Sequence, residues 1–193
     1  MTNVVLASAS PRRHELLSKT GITFVVRSPD IDESPIDGEQ PVDYVRRLAS
    51  QKAAAAKPAA GELIIAADTT VDLDERILGK PLDDREAGEM LRQLSGRTHQ
   101  VHTGVAVCTD GQEFVEVCTT LVTFVALDDP MIEWYIATGE PMDKAGAYAL
   151  QGAGAALVSS VHGSVSNVIG LPMHVVLDLS RRIGVDLLAT TAD

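Results

Sequence analysis

The sequence predicts an α/β fold with a mixed sheet. Segments with strand patterns and segments with helix patterns alternate along the chain, and Asp110-Gly111 between two long alternating segments is a strong signal for a two-residue hairpin. The length of 193 residues suits a single domain, 1–193, with room for two lobes. With 45% apolar and 22% charged residues, the composition excludes disordered, collagen-like and low-complexity classes.

Helix and strand patterns alternate through the first half of the chain. Ser10 precedes Pro11 as the N-cap of a helix, and Gly21 ends that helix. The patterns predict a buried strand, this helix, a strand, an acidic loop, a long helix and a second buried strand, over residues 4–7, 11–20, 22–27, 28–40, 41–57 and 63–67. A hairpin around Asp74-Glu75 then joins residues 71–73 to residues 76–78.

The second half predicts a helix, two long strands, another helix, an irregular segment and a final helix. Asp83 or Asp84 caps the first of these helices, which ends at Gly96. Asp129-Pro130 caps the next helix, which ends at Gly139. The two strands, the irregular segment with short strands and the final helix are predicted over residues 101–109, 112–126, 140–172 and 173–183.

The net charge of −11 limits the partners that the chain can bind. Nucleic-acid polymers and anionic membranes need a basic face, so neither is expected as a partner, whereas a small anionic ligand suits a local cluster of cations. No apolar run approaches the roughly 18 residues of a spanning helix, and the first residues lack the charged region of a signal peptide. We therefore expect a cytoplasmic location.

The two cysteines, Cys108 and Cys118, flank the predicted hairpin turn. The turn pairs Cys108 with Glu113 and places Cys118 opposite Thr103, so the two sulfurs do not meet. Neither cysteine lies in a CxxC motif, and the histidines share no spacing typical of a zinc site. We expect two reduced, packed thiols.

Residues 8–13, Ser-Ala-Ser-Pro-Arg-Arg, form a predicted turn from a strand into a helix. A helix N-terminus offers unpaired N–H groups, and the hydroxyls of Ser8 and Ser10 with the guanidiniums of Arg12 and Arg13 add donors that suit phosphate. A capped helix with two solvated arginines is the alternative interpretation.

Lys52 falls on the apolar face of the long helix, three and four residues after Ala49 and Leu48. A lysine at such a position either extends its ammonium group to solvent or pairs with an anion. Extension to solvent is the commoner case.

Asp68 follows the apolar run 63–67, and Thr69 and Thr70 come next. We expect the strand to end at Asp68, where the apolar run gives way to polar residues. Ligands of open α/β sheets bind beyond the carboxyl ends of strands, so this position suits a functional acid. A carboxylate there can hold a metal or activate water, although it can also simply cap a turn.

Three further segments carry candidate ligands. Gly79-Lys80-Pro81 is a basic turn, and Asp30-Ile31-Asp32-Glu33 supplies hard oxygen ligands suited to Mg²⁺ or Mn²⁺. The segment 143–152, which contains Lys144 and Gln151, is rich in small residues that permit close approach of the backbone to a ligand. Solvated loops and tight turns are the alternatives.

Taken together, the chain resembles the Maf family of nucleoside triphosphate pyrophosphatases over nearly its whole length. The resemblance is carried, in order, by the segments SASPRRHELL, IDES, SQKA, AADTTV, ILGKP, LSGRTHQVHTGV, TGEPMDKAGAYALQG and GSVSNVIGLP. It implies a long mixed sheet with flanking helices and a cleft between two lobes, and often a homodimer. It also implies cytosolic hydrolysis of nucleoside triphosphates between the α and β phosphates, giving a monophosphate and pyrophosphate, with Mg²⁺ or Mn²⁺.

The resemblance also implies roles for single residues. Asp68 would be the general base, acting directly or through a water held by the ion, and Glu33 would hold the ion with Asp68. The remaining roles are neutralisation of the phosphate charge by Arg13, Lys52 and Lys80, seating of the phosphate chain by Ser8 and Ser10, and an additional binding role for Lys144.

The branch of the family that prefers dTTP and UTP is similar to this chain at Arg12, Thr69 and Gln151, which would contact the base. The Gln151 amide offers a donor and an acceptor, which suits the N3–H and carbonyl oxygens of uracil or thymine. Val165 departs from the family pattern, which has tyrosine at that place.

Three alternatives stay open at this point. One is the same reaction on 7-methyl-GTP or another purine, and a second is an inosine-triphosphate-type pyrophosphatase, whose N-terminal Asn and Lys motif is replaced here by SASPRR. The third is a non-catalytic nucleotide sensor that regulates septum formation. The presence of both Glu33 and Asp68 argues against the sensor, since a pure binder gains little from acids beside a triphosphate.

Overall fold

The computed structural model describes residues 2–189 and shows one seven-stranded mixed sheet with helices on both faces. The strand order is β2-β1-β3-β5-β6-β7, and β4 pairs with β3 off this path. The strands are β1 Asn3–Leu6, β2 Phe24–Val26, β3 Glu62–Leu73, β4 Arg76–Leu78, β5 Thr98–Thr109, β6 Gln112–Phe124 and β7 Val158–His162. β1 is parallel to β2 and β3, and the other pairs are antiparallel, so the predicted fold class is confirmed.

Within the described residues, six α-helices flank the sheet, and short 3₁₀ helices fill the segment after the fourth. The α-helices are α1 Pro11–Ser18, α2 Pro41–Ala55, α3 Asp84–Leu94, α4 Asp129–Ala137, α5 Val165–Ile169 and α6 Met173–Arg182. The 3₁₀ helices are Glu140–Asp143, Ala145–Ala147 and Ala153–Leu157. None of the helices in residues 2–189 is long and apolar enough to cross a membrane.

The predicted end of the central strand β3 at Asp68 was wrong. The strand continues to Leu73, and β5 pairs with it along the added length, with Asp68 opposite Gly104. The partner strand supplies the hydrogen bonds that sustain β3, so one acidic residue does not end it. The hairpin after Leu73 is confirmed: Asp74 and Glu75 both have positive φ, as a tight two-residue turn requires.

The Asp110-Gly111 turn is confirmed together with its register. Cys108 pairs with Glu113 and Cys118 pairs with Thr103, and both thiols are free. Burial raises the pKa of Cys108 to about 11, which keeps this thiol protonated and unreactive.

The helix caps are confirmed in part. Asp83 caps α3 by accepting a hydrogen bond from the Glu86 N–H, but Asp128 rather than Asp129 caps α4, because the helix already includes Asp129. Ser10 occupies the N-cap position of α1, although its hydroxyl accepts no capping hydrogen bond.

Two further predictions about the elements were inaccurate. The strand predicted over 22–27 is only Phe24–Val26. The segment 140–172 contains the short helix α5 that was expected as loop, and Ser164 caps that helix by accepting from the Asn167 N–H.

Two apolar clusters cover the opposite faces of β1, β3 and the far half of β5. α1 and α6 cover one face, where Leu17 and Leu179 belong to the same buried cluster as Ile65. α2 covers the other face through small side chains such as Ala49 and Ala53. Because both faces are buried, the run 63–67 is continuously apolar.

A third apolar cluster lies under α3 and α4 at the other end of β3 and β5. It includes Val71 and Leu73, whereas the clusters at the first end contain residues up to Ala67. The polar segment 68–70 therefore lies between apolar cores, in the middle of the sheet. This junction is where the cleft opens.

Candidate active site

The cleft opens where β1 ends and β3 continues. The last contact between them is the hydrogen bond from the Ala7 N–H to the Ile65 carbonyl (2.8 Å), and the chain then turns through Ser8 into α1. Asp68 lies within β3 but beyond the carboxyl end of the neighbouring parallel strand β1. This is the position at which ligands of open α/β sheets bind.

Every site residue predicted from the sequence lines this cleft, which has a volume of about 530 Å³. The wall built from residues 8–69 is formed by Ser8, Ser10, Arg12, Arg13, Glu33, Lys52, Asp68 and Thr69. The opposite wall carries Lys80, Lys144 and Gln151. The sequence therefore predicted which residues come together, and the roles assigned to them remain predictions.

Lys52 lies at the centre of the cleft wall and does not extend to solvent. Its side chain is only 9% exposed, and its Nζ donates to Asp68 Oδ1 (2.6 Å) and contacts Glu33 Oε1 (2.8 Å). Lys52 projects from α2, which packs on the sheet. Its single ammonium group contacts both carboxylates and holds them together. Asp68 Oδ2 has no hydrogen-bond partner in residues 2–189, so it remains available as an acceptor.

Arg13 ties the first turn of α1 to β3 and to the loop after α5. Its guanidinium donates to Ser8 Oγ (3.3 Å), Thr69 Oγ1 (3.1 Å) and the Gly170 carbonyl (2.8 Å). Burial lowers the pKa of Arg13, Asp68 opposes that change, and the group stays charged at neutral pH because its ordinary value is so high.

The Thr69 hydroxyl is engaged by neighbouring side chains. It lies within hydrogen-bond distance of Thr103 Oγ1 (2.9 Å) as well as of the Arg13 guanidinium. The structure thus places Thr69 in contact with a phosphate-binding candidate, although it also lines the cleft where a base could lie.

The opposite wall is built on tight turns. The Gly146 N–H donates to the Gly79 carbonyl (3.0 Å), which fixes the turn that carries the exposed Lys80. Asp143 contacts the Lys144 ammonium group and, at 3.4 Å, the Arg12 guanidinium from the opposite wall. Asp143 therefore bridges the mouth of the cleft.

Tyr44 is a cleft residue that the sequence reasoning missed. It precedes Lys52 by eight residues on α2, so a helical-face count would have found it. Its hydroxyl donates to the Glu33 carbonyl (3.0 Å), which holds the acidic loop against α2. Burial, followed by the nearby Asp68 and Glu33 carboxylates, raises the pKa of Tyr44 to about 12, so the phenol stays protonated.

The charges of the cleft differ from those of the whole chain. The lining residues include five cations and three anions: Arg12, Arg13, Lys52, Lys80 and Lys144 against Glu33, Asp68 and Asp143. A local excess of two positive charges in a chain of net charge −11 suits a small polyanion that carries a cation.

Comparison with known proteins matches residues 3–183 to the Maf-like protein family. The chain belongs to the Maf family. This match covers every residue that lines the cleft.

Several relatives of this Maf protein carry the same name, "dTTP/UTP pyrophosphatase". One from Anaeromyxobacter dehalogenans is 51% identical over 188 residues and covers 95% of both chains. One from Myxococcus xanthus is 52% identical over 187 residues, covering 96% of this chain and 95% of its own. One from Symbiobacterium thermophilum is 47% identical over 185 residues, covering 95% of both chains.

The fold of this Maf chain also has similarity to solved structures. A HAM1 protein from Coxiella burnetii covers 64% of this chain and 73% of that chain at 21% identity, with a TM-score of 0.48.

Val165, the departure from the Maf pattern, lies in α5 outside the cleft. Its side chain is exposed, whereas Val168, Ile169 and Gly170 at the end of the same segment line the cleft. In this Maf chain the position is therefore not part of the cleft lining.

Proposed function

We propose that the protein hydrolyses dTTP and UTP between the α and β phosphates, releasing a nucleoside monophosphate and pyrophosphate. The observation that carries this proposal is the buried Lys52, which holds Asp68 and Glu33 together beside the phosphate-binding turn of α1. Three relatives that are 51%, 47% and 52% identical to this chain carry the name dTTP/UTP pyrophosphatase. They support the same activity and base preference.

A divalent cation fits the donor set of this site. The Asp68 and Glu33 carboxylates are near enough to share one cation, since the Lys52 ammonium group contacts both. Mg²⁺ commonly binds one or two carboxylates and takes its other ligands from water and substrate phosphates, so two acids are sufficient. We propose that Asp68 and Glu33 hold Mg²⁺ or Mn²⁺, which when bound screens the phosphates and lowers the pKa of water.

The protein groups then have distinct tasks. Asp68 accepts the proton of the attacking water on Oδ2, while Lys52 fixes the carboxylate through Oδ1. Arg13 and Lys80 face the cleft from opposite walls and offset charge that builds on the phosphate oxygens. Ser8 and the N-terminus of α1 seat the phosphate chain.

We propose that Gln151 reads the base. Its side chain is exposed on the cleft wall and makes no hydrogen bond within residues 2–189, so both polar ends of its amide are available. Uracil and thymine present an N3–H donor beside carbonyl acceptors, whereas cytosine presents an acceptor at N3. A fixed amide can therefore favour UTP and dTTP over CTP.

The test is pyrophosphate release with Mg²⁺ or Mn²⁺ across dTTP, UTP, CTP, ATP, GTP, ITP and 7-methyl-GTP. We expect turnover led by dTTP and UTP, lost when a chelator is added. Asp68→Asn should lower kcat by about 10²–10⁴, the usual contribution of a general base. The matched control is Asp72→Asn, a buried acid on the same strand that does not line the cleft, and it should keep turnover. An Asp68→Asn variant as fast as the parent would remove the general-base assignment.

The cytoplasmic location and the homodimer that the family resemblance implies are also proposals. Static light scattering on the purified chain measures the second directly. A mass near twice 20.5 kDa is the expected result, and a mass of one chain contradicts it.

A further inference from the structure

Two side chains behind the cleft hold the loop that carries Gln151. Tyr135 is fully buried on α4, and Glu140 begins the 3₁₀ helix that follows. Glu140 Oε1 accepts hydrogen bonds from the Tyr135 hydroxyl (2.8 Å) and the Gly154 N–H (3.0 Å). Glu140 Oε2 accepts from the Ala153 N–H (2.8 Å). One carboxylate thus receives three donors.

The same pair also fixes the other end of the loop. The Ala149 N–H donates to the Tyr135 hydroxyl oxygen (3.1 Å), two residues before Gln151. Gln151 therefore lies midway between anchors at residues 149 and 153, and neither anchor touches its own side chain. The amide of Gln151 depends for its placement on the backbone that Tyr135 and Glu140 hold.

Gly152 shows how closely the loop passes over the carboxylate. A Cβ at this position would lie 2.6 Å from Glu140 Cδ and 2.9 Å from Oε1, distances that packed atoms do not adopt. Its φ of −119° is ordinary for any residue, so the glycine is needed for space rather than for its conformation.

The carboxylate is ionised at neutral pH despite its partial burial. Burial raises the pKa of Glu140, but the hydrogen bonds from Gly154, Tyr135 and Ala153 outweigh it and bring the pKa below its ordinary value. Hydrogen bonds to an ionised acceptor are about twice as strong as neutral ones, so the loop is tied firmly.

We propose that Glu140, together with Tyr135, is a positioning residue for base selection, because it fixes the backbone from which Gln151 reads an imide edge. This inference rests on the proposed hydrolysis of dTTP and UTP. Discrimination between uracil and cytosine requires the amide donor and acceptor to be held in register, and a shift of about 1 Å takes a hydrogen bond beyond its normal range. The substrate class is thus nucleotides with an N3–H flanked by carbonyls.

The experiment compares Glu140→Gln with the parent for UTP and CTP. The glutamine amide keeps the shape but turns an N–H₂ group toward the Ala153 N–H, so one anchor becomes a repulsion. Losing a hydrogen bond to a charged group corresponds to about tenfold, so we expect the preference for UTP over CTP in kcat/KM to fall by about that factor. The loss should appear mainly as a raised KM for UTP, with kcat at saturation little changed.

A matched control and two further variants accompany this measurement. Glu133→Gln replaces an exposed acid on α4 and should keep the parental selectivity. Gly152→Ala and Tyr135→Phe displace or remove the same anchors and should reproduce the loss. Amide hydrogen exchange of residues 149–154 should quicken in Glu140→Gln and not in Glu133→Gln.

The outcomes separate this inference from the proposed function. If the parent releases no pyrophosphate from UTP or dTTP, the proposed function fails, and binding of non-hydrolysable UTP and CTP analogues then takes the place of turnover. A Glu140→Gln variant with the parental UTP preference in binding or turnover overturns the positioning role, and so does unchanged amide exchange in the loop. An equal loss for both nucleotides also overturns it, since that is the effect of structural damage alone.

Discussion

Gly104 is the position where a single methyl group should disturb both stability and catalysis. It lies on β5 opposite Asp68, and α2 crosses directly above it. A Cβ added here would lie 2.6 Å from the carbonyl carbon of Val45 and 3.0 Å from the Arg46 nitrogen. Both neighbours are backbone atoms of α2, so no side chain can turn away to make room.

The size of the disturbance follows from these distances. Carbon atoms in contact lie about 3.5–4.0 Å apart, so Gly104→Ala must move α2 outward by about 1 Å. The same helix carries Lys52, whose Nζ is 2.6 Å from Asp68 Oδ1, and a 1 Å shift takes that distance beyond hydrogen-bond range. Overpacking of this kind costs about 1–3 kcal/mol. A catalytic group misplaced by 1 Å costs about a hundredfold in rate.

The assay is thermal unfolding together with pyrophosphate release from UTP. We expect Tm to fall by about 4–8 °C, from about 2 kcal/mol in a chain of this length, and kcat/KM to fall by about a hundredfold. The control is Gly88→Ala in α3, where a Cβ meets side-chain atoms of Arg92, Ile136 and Ile132 rather than backbone, and alanine favours the helix. A Gly104→Ala variant with parental Tm and kcat/KM would refute the packing argument.

Two further predictions concern buried histidines. Burial lowers the pKa of His99 to about 4, so as pH falls the histidine is protonated in the unfolded chain before it is protonated in the folded one. The free energy of unfolding is therefore unaffected by His99 above pH 6.5 and should drop by about 3 kcal/mol toward pH 4. Urea unfolding across this pH range measures the drop, and His99→Phe should remove it. If the unfolding free energy of that variant depends on pH as in the parent, another group causes the drop. His102 is buried and contacts Asp72 Oδ2 (3.1 Å), so His102→Leu should cost about 3–5 kcal/mol by leaving the acid without its partner. Adding Asp72→Leu should recover most of this loss in the same assay, and an additive double variant would show that the two side chains are not coupled.

The fold was predictable where the signal is local. The Asp110-Gly111 turn determines the register of the longest strand pair, and proline with a preceding polar residue marks the start of α1. The length of β3 was not predictable in this way, because polar residues such as Asp68 and Thr69 after an apolar run are typical of the end of a strand. The partner strand β5, some thirty residues later in the chain, supplies the hydrogen bonds that continue it.

The site was predictable as a set of residues but not as a geometry. The helical pattern shows only that Lys52 lies on the apolar face of α2, and both solvent exposure and ion pairing satisfy that pattern. The choice depends on where β3 places Asp68 and where the acidic loop places Glu33, which are tertiary facts. Glu140 gave no signal in sequence, because two of its three hydrogen-bond donors are backbone N–H groups of a loop.

The two walls of the cleft are built differently, and this should separate their effects on kinetics. Asp68 and Lys52 are held on the centre of the sheet and on the long helix packed against it, with buried cores on both sides. Gln151 is held on irregular backbone through Tyr135 and Glu140. Rigid placement of the reacting groups governs kcat, whereas the loop governs which base is admitted. Substitutions of Asp68 and Lys52 should therefore slow all nucleotides alike, and substitutions behind the loop should change the ranking among them.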